Sequence, residues 1–81
     1  MKVSVRLFAV ARQLAQTDVV EIELQEGATV ADVRAILAQR LPALGAVLPR
    51  MLVAVDSDYA VDETMIRPGA EVACIPPVSG G

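Results

Sequence analysis

Two stretches of two-residue alternation, followed by a helix-period stretch that a proline must end, restrict this chain more than any other feature. From Lys2 to Phe8, Lys2, Ser4 and Arg6 occupy one parity and Val3, Val5 and Leu7 the other, the signature of a half-buried strand. Val19 to Leu24 repeats it, with Val20, Ile22 and Leu24 facing inward and Glu21 and Glu23 toward water. Between the two, Ala9 to Gln16 is Ala-rich, with Leu14 four residues after Val10, and predicts a short helical turn ending at Gln16-Thr17-Asp18. Glu26-Gly27 breaks the second strand. Thr29 then precedes an apolar-periodic stretch, with Asp32 three residues on as a relative of the capping box. Val30, Val33, Leu37 and Leu41 fall on one helical stripe, and Ile36 lies beside it. Pro42 lacks the next backbone donor and disfavours helical dihedrals in the preceding residue, so the helix is expected to stop at Leu41.

Ala43 to Arg50 reads as a connecting loop, and Met51 to Val55 as a third strand. Asp56-Ser57-Asp58 is a turn cluster, Tyr59 to Val61 a short edge segment, Arg67-Pro68-Gly69 a second turn, and Val72 to Ile75 the last strand. The order is strand, strand, helix, strand, short strand, strand: an α+β arrangement in which one main helix covers one face of a mixed sheet. Eighty-one residues are enough for one domain and too few for two. With Phe8 and Tyr59 as the only aromatics, the core has to be built from Val, Ile, Leu and Ala.

Charge and cysteine usage exclude several classes of function. A net charge of −3 repels phosphate backbones, so nucleic acid is not an expected partner. The single cysteine, Cys74, cannot form an internal disulfide and reads as a small buried hydrophobe. No run of eighteen apolar residues is present, and Met1-Lys2-Val3-Ser4 opens a strand pattern, so no membrane association is expected and the reading is cytoplasmic. The chain has no histidine, and no metal site is expected.

The ending Pro76-Pro77-Val78-Ser79-Gly80-Gly81 carries the chemistry. The prolines cannot donate to a sheet, and terminal glycines lose the most conformational entropy on ordering while burying no side chain. The expected division is therefore a domain over residues 1–75 and a flexible tail over 76–81. Two residues without Cβ atoms are thin enough to enter a narrow channel in another protein, with the Gly81 carboxyl group leading. A carboxylate is a poor electrophile until it is converted to an acyl-adenylate; sulfur can then displace AMP and leave a thiocarboxylate. A tether gives that nucleophile a high effective concentration at a docked partner. Pro76 and Pro77, with φ already restricted, reduce the entropy lost on insertion. The chain would be a carrier and not itself a catalyst.

A second indication comes from parity. Phe8 shares its parity with Lys2, Ser4 and Arg6 and should face outward, while Val72 and Cys74 point at the helix and Ala73 and Ile75 at the opposite face. In the β-grasp arrangement that this element order fits, the first and last strands are neighbours. Phe8 and Ile75 would then adjoin at the root of the tail, where an aromatic-aliphatic patch is a docking signature.

The chain resembles the MoaD/ThiS sulfur carriers, and within them the MoaD-like small subunits of molybdopterin synthase, along its whole length. The resemblance rests on Val5-Arg6-Leu7-Phe8-Ala9 with Ala11-Arg12-Gln13-Leu14, on Ala28-Thr29-Val30-Ala31-Asp32-Val33, on Arg67-Pro68-Gly69-Ala70-Glu71-Val72, and on the Pro-Pro-Val-Ser-Gly-Gly ending. It implies a ubiquitin-like β-grasp fold and no permanently bound cofactor. It further implies a ubiquitin-activating-like adenylyltransferase that uses ATP on Gly81, a sulfur donor protein, and a covalent 1-thioglycine at Gly81. The tail, Pro76 to Gly80 behind Gly81, would enter the large catalytic subunit, where sulfur passes to cyclic pyranopterin monophosphate. Two small subunits would flank a dimer of large ones, in a heterotetramer. Phe8 would belong to the contact with the large subunit, with Arg12 and Ile75 beside it; Ile75 stands where members often carry an aromatic. Three alternatives stay open at this stage: a carrier for a thiamine-type pathway, a ubiquitin-like modifier that joins Gly81 to lysines, and a β-grasp interaction module with an inert tail.

Overall fold

The computed structural model describes residues 1–77. The first strand, β1 (Lys2–Leu7), buries alternate residues throughout, with Val3, Val5 and Leu7 inside. Helix α1 (Ala9–Ala15) follows and ends at Gln16, whose φ of 60° reverses the chain. Strand β2 (Val19–Glu23) returns antiparallel to β1, with Val3 opposite Ile22 and Val5 opposite Val20. Helix α2 (Val30–Arg40) then crosses the sheet. Thr29 donates its backbone N–H to the Asp32 carboxylate at 2.9 Å, one arm of a capping box. Val30 and Ala31 donate to the carbonyls of Thr64 and Asp62, so the orphan donors of the first turn are satisfied by the segment that follows the fourth strand. At the other end Leu41 is the cap and Pro42 opens a different turn, as the proline requires.

Residues 43–50 differ from the loop the sequence indicated. Two 3-10 turns, Pro42–Leu44 and Leu48–Arg50, insert fully buried Leu44 and Leu48 beneath α2. Each turn carries a proline in its first two positions, Pro42 and Pro49, whose fixed φ suits a first turn and whose missing N–H would be unpaired there in any case. The segment therefore forms part of the core. Arg34 fastens it: its guanidinium donates to the Leu48 carbonyl at 2.6 Å and to the Asp62 carboxylate at 2.9 Å.

Strand β3 (Leu52–Val55) starts one residue later than the apolar run, because Met51 is the cap of the preceding turn. A two-residue reversal at Asp56 and Ser57, both at positive φ (50° and 73°), leads into β4 (Asp58–Ala60). This is the hairpin geometry whose twist matches the flanking strands. Asp56 exchanges two bonds with Glu71, its N–H donating to the Glu71 carbonyl at 2.8 Å and its carboxylate accepting from the Glu71 N–H at 2.9 Å, which anchors the hairpin. Pro68-Gly69 then turns the chain, Gly69 at φ +80° and Ala70 donating to the Arg67 carbonyl at 3.1 Å, and β5 (Glu71–Ile75) follows.

The sheet order is β2-β1-β5-β3-β4, with β5 parallel to β1 and antiparallel to β3. The last strand thus lies in the middle of a mixed five-stranded sheet, and α2 covers one face, as the sequence indicated. Val30, Val33 and Leu37 of α2 pack into one cluster with Val5, Leu7, Val53, Val72 and Cys74. No polar or charged residue is buried among the described residues, so no desolvated polar group has to be compensated. Among them, too, no helix is long and apolar enough to cross a membrane.

Candidate functional site

Because β1 and β5 are parallel, both end at the same edge of the sheet, and the chain leaves β5 from its centre. Arg6 pairs in register with Ala73 and Leu7 with Cys74, and the Phe8 N–H donates to the Cys74 carbonyl at 3.3 Å. The outward parity of Phe8 is confirmed at 42% exposure, while Val72 and Cys74 are buried at 1% and 0%. Phe8 and Ile75 consequently line one groove on the helix-free face of the sheet, immediately before Pro76 and Pro77.

The groove, about 340 Å³, has Arg6, Phe8 and Ile75 on the β1–β5 side and Tyr59 on the β4 side, with Ala54 and Ala73 between them. Its floor is low because Ala54 and Ala73 face each other across β3 and β5, and Tyr59 stands opposite Ala54 on β4. Two small side chains flanked by aromatic rings form a seat for an apolar group of a partner. Tyr59, 68% exposed, was not singled out from sequence. Its place depends on the β3–β4 register, for which a three-residue strand offers no local pattern. Leu52, 41% exposed, pairs with Ile75 and extends the apolar surface at the root of the tail.

Arg12 does not line this groove. It sits on α1 in a separate depression with Gln13, Gln16 and Asp18. Helix α1 buries Ala11 and turns Val10 and Leu14 outward, at 40% and 42% exposure, so the Phe8 side of the molecule presents more apolar surface than the sequence periodicity indicated. A larger groove of about 440 Å³ lies between the end of β2 and α2, lined by Glu23, Glu26 and Asp32. It is remote from the tail root, and its Asp32 is already engaged in capping α2. Val78, Ser79, Gly80 and Gly81, the remaining residues assigned to the tail, lie outside the described residues.

Cys74 lies directly beneath the tail root. Burial in the aliphatic core pushes its thiol from 9.0 up to about 11, with Arg34 pulling weakly in the opposite direction. It is therefore a protonated, inert side chain at neutral pH, as its reading as core required. The unfolded chain releases this proton more readily than the folded one, so stability is unaffected below about pH 9 and falls as pH rises from 9 toward 11. The expected loss is about 2 kcal/mol. Urea titrations at pH 8 and pH 11 should show it in the parent chain and not in Cys74→Ala, so the stability gap between the two narrows by that amount at the higher pH.

A small mixed sheet clasping one helix, with its central last strand running out beside an apolar groove, defines the ubiquitin-like β-grasp class. The sequence matches the ThiS family over residues 5–81, and the chain belongs to that family. It is 35% identical to the molybdopterin synthase sulfur carrier subunit of Chlamydomonas reinhardtii, over 100% of both chains. Among solved structures it resembles SAMP1 from Haloferax volcanii, with a TM-score of 0.88 and 28% identity over 100% of each chain. It also resembles a chain of the complex of subunits 1 and 2 of the molybdopterin-converting factor from Helicobacter pylori 26695, with a TM-score of 0.72 and 26% identity over 100% of each chain.

Proposed function

We propose that this chain is the sulfur carrier subunit of a molybdopterin synthase, with the Gly81 carboxyl group as the working atom set. The observation that carries the reading is the position of the tail root. The parallel β1–β5 pair sets Ile75 beside Phe8 on an open groove, so a partner that seats on the groove receives the tail in a fixed direction. The match to the ThiS family runs through Gly81. In this reading an adenylyltransferase joins the Gly81 carboxylate to AMP with release of pyrophosphate. A sulfur donor protein then delivers sulfur at the sulfide level to the acyl carbon, the new C–S bond replacing the acyl–phosphate bond as AMP leaves, and 1-thioglycine results. The tail, Pro76 to Gly81, enters the large catalytic subunit, where the sulfur is transferred to cyclic pyranopterin monophosphate. The chain brings neither an imidazole nor a reactive thiol to these steps: it has no histidine, and its cysteine is buried and protonated. Its contribution is docking and delivery, which convert a bimolecular sulfur transfer into an effectively unimolecular one. The setting is cytoplasmic.

The likeness to SAMP1, whose other crystal structure describes it as small archaeal modifier protein 1, favours one second reading, a protein modifier. Affinity isolation of the tagged chain from its native cell, analysed under native and denaturing conditions, separates the two. The carrier reading predicts a non-covalent complex with the synthase large subunit that dissociates on denaturation. A ladder of adducts that survives denaturation, each with Gly81 joined to lysine, would favour the modifier.

A further inference from the structure

Of the seven basic side chains, Arg34, Arg40 and Arg67 are engaged within the fold by Asp62, the Glu21 carbonyl and Asp56. Lys2, Arg6, Arg12 and Arg50 make no ion pair or side-chain hydrogen bond among the described residues, and of these four Arg6 alone lines the groove, exposed on the helix-free face. Its cross-strand neighbours are Val19 on β2 and Ala73 on β5, both apolar. It stands in the row Arg6–Ala73–Ala54–Tyr59 that crosses the groove, one row in from Phe8, whereas Glu71, the acidic residue of the same groove, pairs with Ser4 two residues farther from the tail. The groove is thus polarised along its length, with the cation level with the Ala54–Ala73 floor and the anion on the side away from the tail.

We infer that Arg6 is an orientation-determining residue for the protein that docks on this groove, and that this partner presents an apolar side chain to the Ala54–Ala73 floor and a carboxylate to Arg6. This rests on the reading of the groove as the docking face for the large subunit. Charge complementarity favours the acidic partner. An unpaired guanidinium flanked by apolar neighbours would be left without compensation under an apolar or basic surface, whereas a carboxylate can meet it in a bidentate pair. A partner docked end for end would set its carboxylate against Glu71 and leave Arg6 uncovered, so the pair selects the one orientation that points the tail at the partner's active site. Phe8 supplies apolar contact area and Arg6 supplies direction.

The test measures binding of the full chain to the synthase large subunit from the same organism, by association and dissociation rates at low and at moderate salt, with thermal unfolding of each variant as a folding control. Arg6→Glu is expected to weaken binding about tenfold or more, largely through slower association, and to lose most of that effect as salt rises. Arg6→Ala should fall between Arg6→Glu and the parent, and Phe8→Ala should weaken binding with no such salt dependence. If Phe8→Ala binds poorly while both Arg6 variants bind like the parent at every salt concentration, the role of Arg6 is overturned and the groove remains the docking face. Parent-like binding by all three variants would overturn both the role of Arg6 and the reading of the groove.

Discussion

A chain that ends at Gly80 is expected to lose sulfur transfer entirely, by more than about a thousandfold, while folding and docking on the groove like the parent. A missing terminal residue withdraws the carboxyl carbon by roughly 3.5 Å along an extended backbone, and displacements of about 1 Å at a reacting centre already cost about a hundredfold. Stability should not follow. Among the described residues the buried cluster runs from Val3 to Cys74, and substitutions remote from buried contacts change stability by less than about 0.5 kcal/mol. Single-turnover transfer to the synthase substrate, measured beside urea unfolding and large-subunit binding, checks all three. Retained transfer by the Gly80-terminated chain would remove the carrier mechanism, and a large loss of stability would mean that the tail has a structural role instead.

The second large effect lies in the core. Leu37→Ala removes a fully buried side chain from the centre of the contact between α2 and the sheet. The cost should be about 3 kcal/mol, since transfer and cavity terms add for a site that cannot collapse. In a domain of this size that lowers the unfolding midpoint by roughly 12–24 °C. Leu14→Ala, on the exposed face of α1, is the comparison, because it removes the same atoms from a side chain that is 42% exposed; its effect should be a small fraction of the first. Equal losses at the two positions would contradict the assignment of the core.

The contrast between those two leucines marks where the sequence was legible. Strict alternation settled which side of β1 is buried, because slipping an alternating strand by one residue would expose its entire apolar set. The limits of α2 were readable from Thr29, Asp32 and Pro42, each of which acts on the backbone locally. The outward parity of Phe8 and the inward parity of Cys74 followed from the same period-two logic, and with them the Phe8–Ile75 side of the groove. Tyr59 completes that groove through a register imposed by Asp56 and Ser57, and neither residue is the glycine that would advertise a positive-φ turn. Leu44 and Leu48 sit in turns too short to have a period, so their burial follows only from what α2 leaves uncovered. Leu14 shares helical spacing with Val10, yet both face outward. A seven-residue helix has too few turns to reveal from sequence which of its sides meets the sheet.

Under the proposed function, labour would be divided between an aliphatic domain that presents a polarised groove and a terminal carboxyl group on which partners act, with the reactive chemistry supplied from outside. The most direct test of that claim is the intact mass of the chain isolated from its native cell without reductive or alkaline treatment, followed by fragmentation of the C-terminal peptide. The expected result is a fraction in which one oxygen has been exchanged for sulfur, with the exchange confined to Gly81. Absence of that species when the activating enzyme is present and functional, or sulfur found on Cys74 instead, would contradict it.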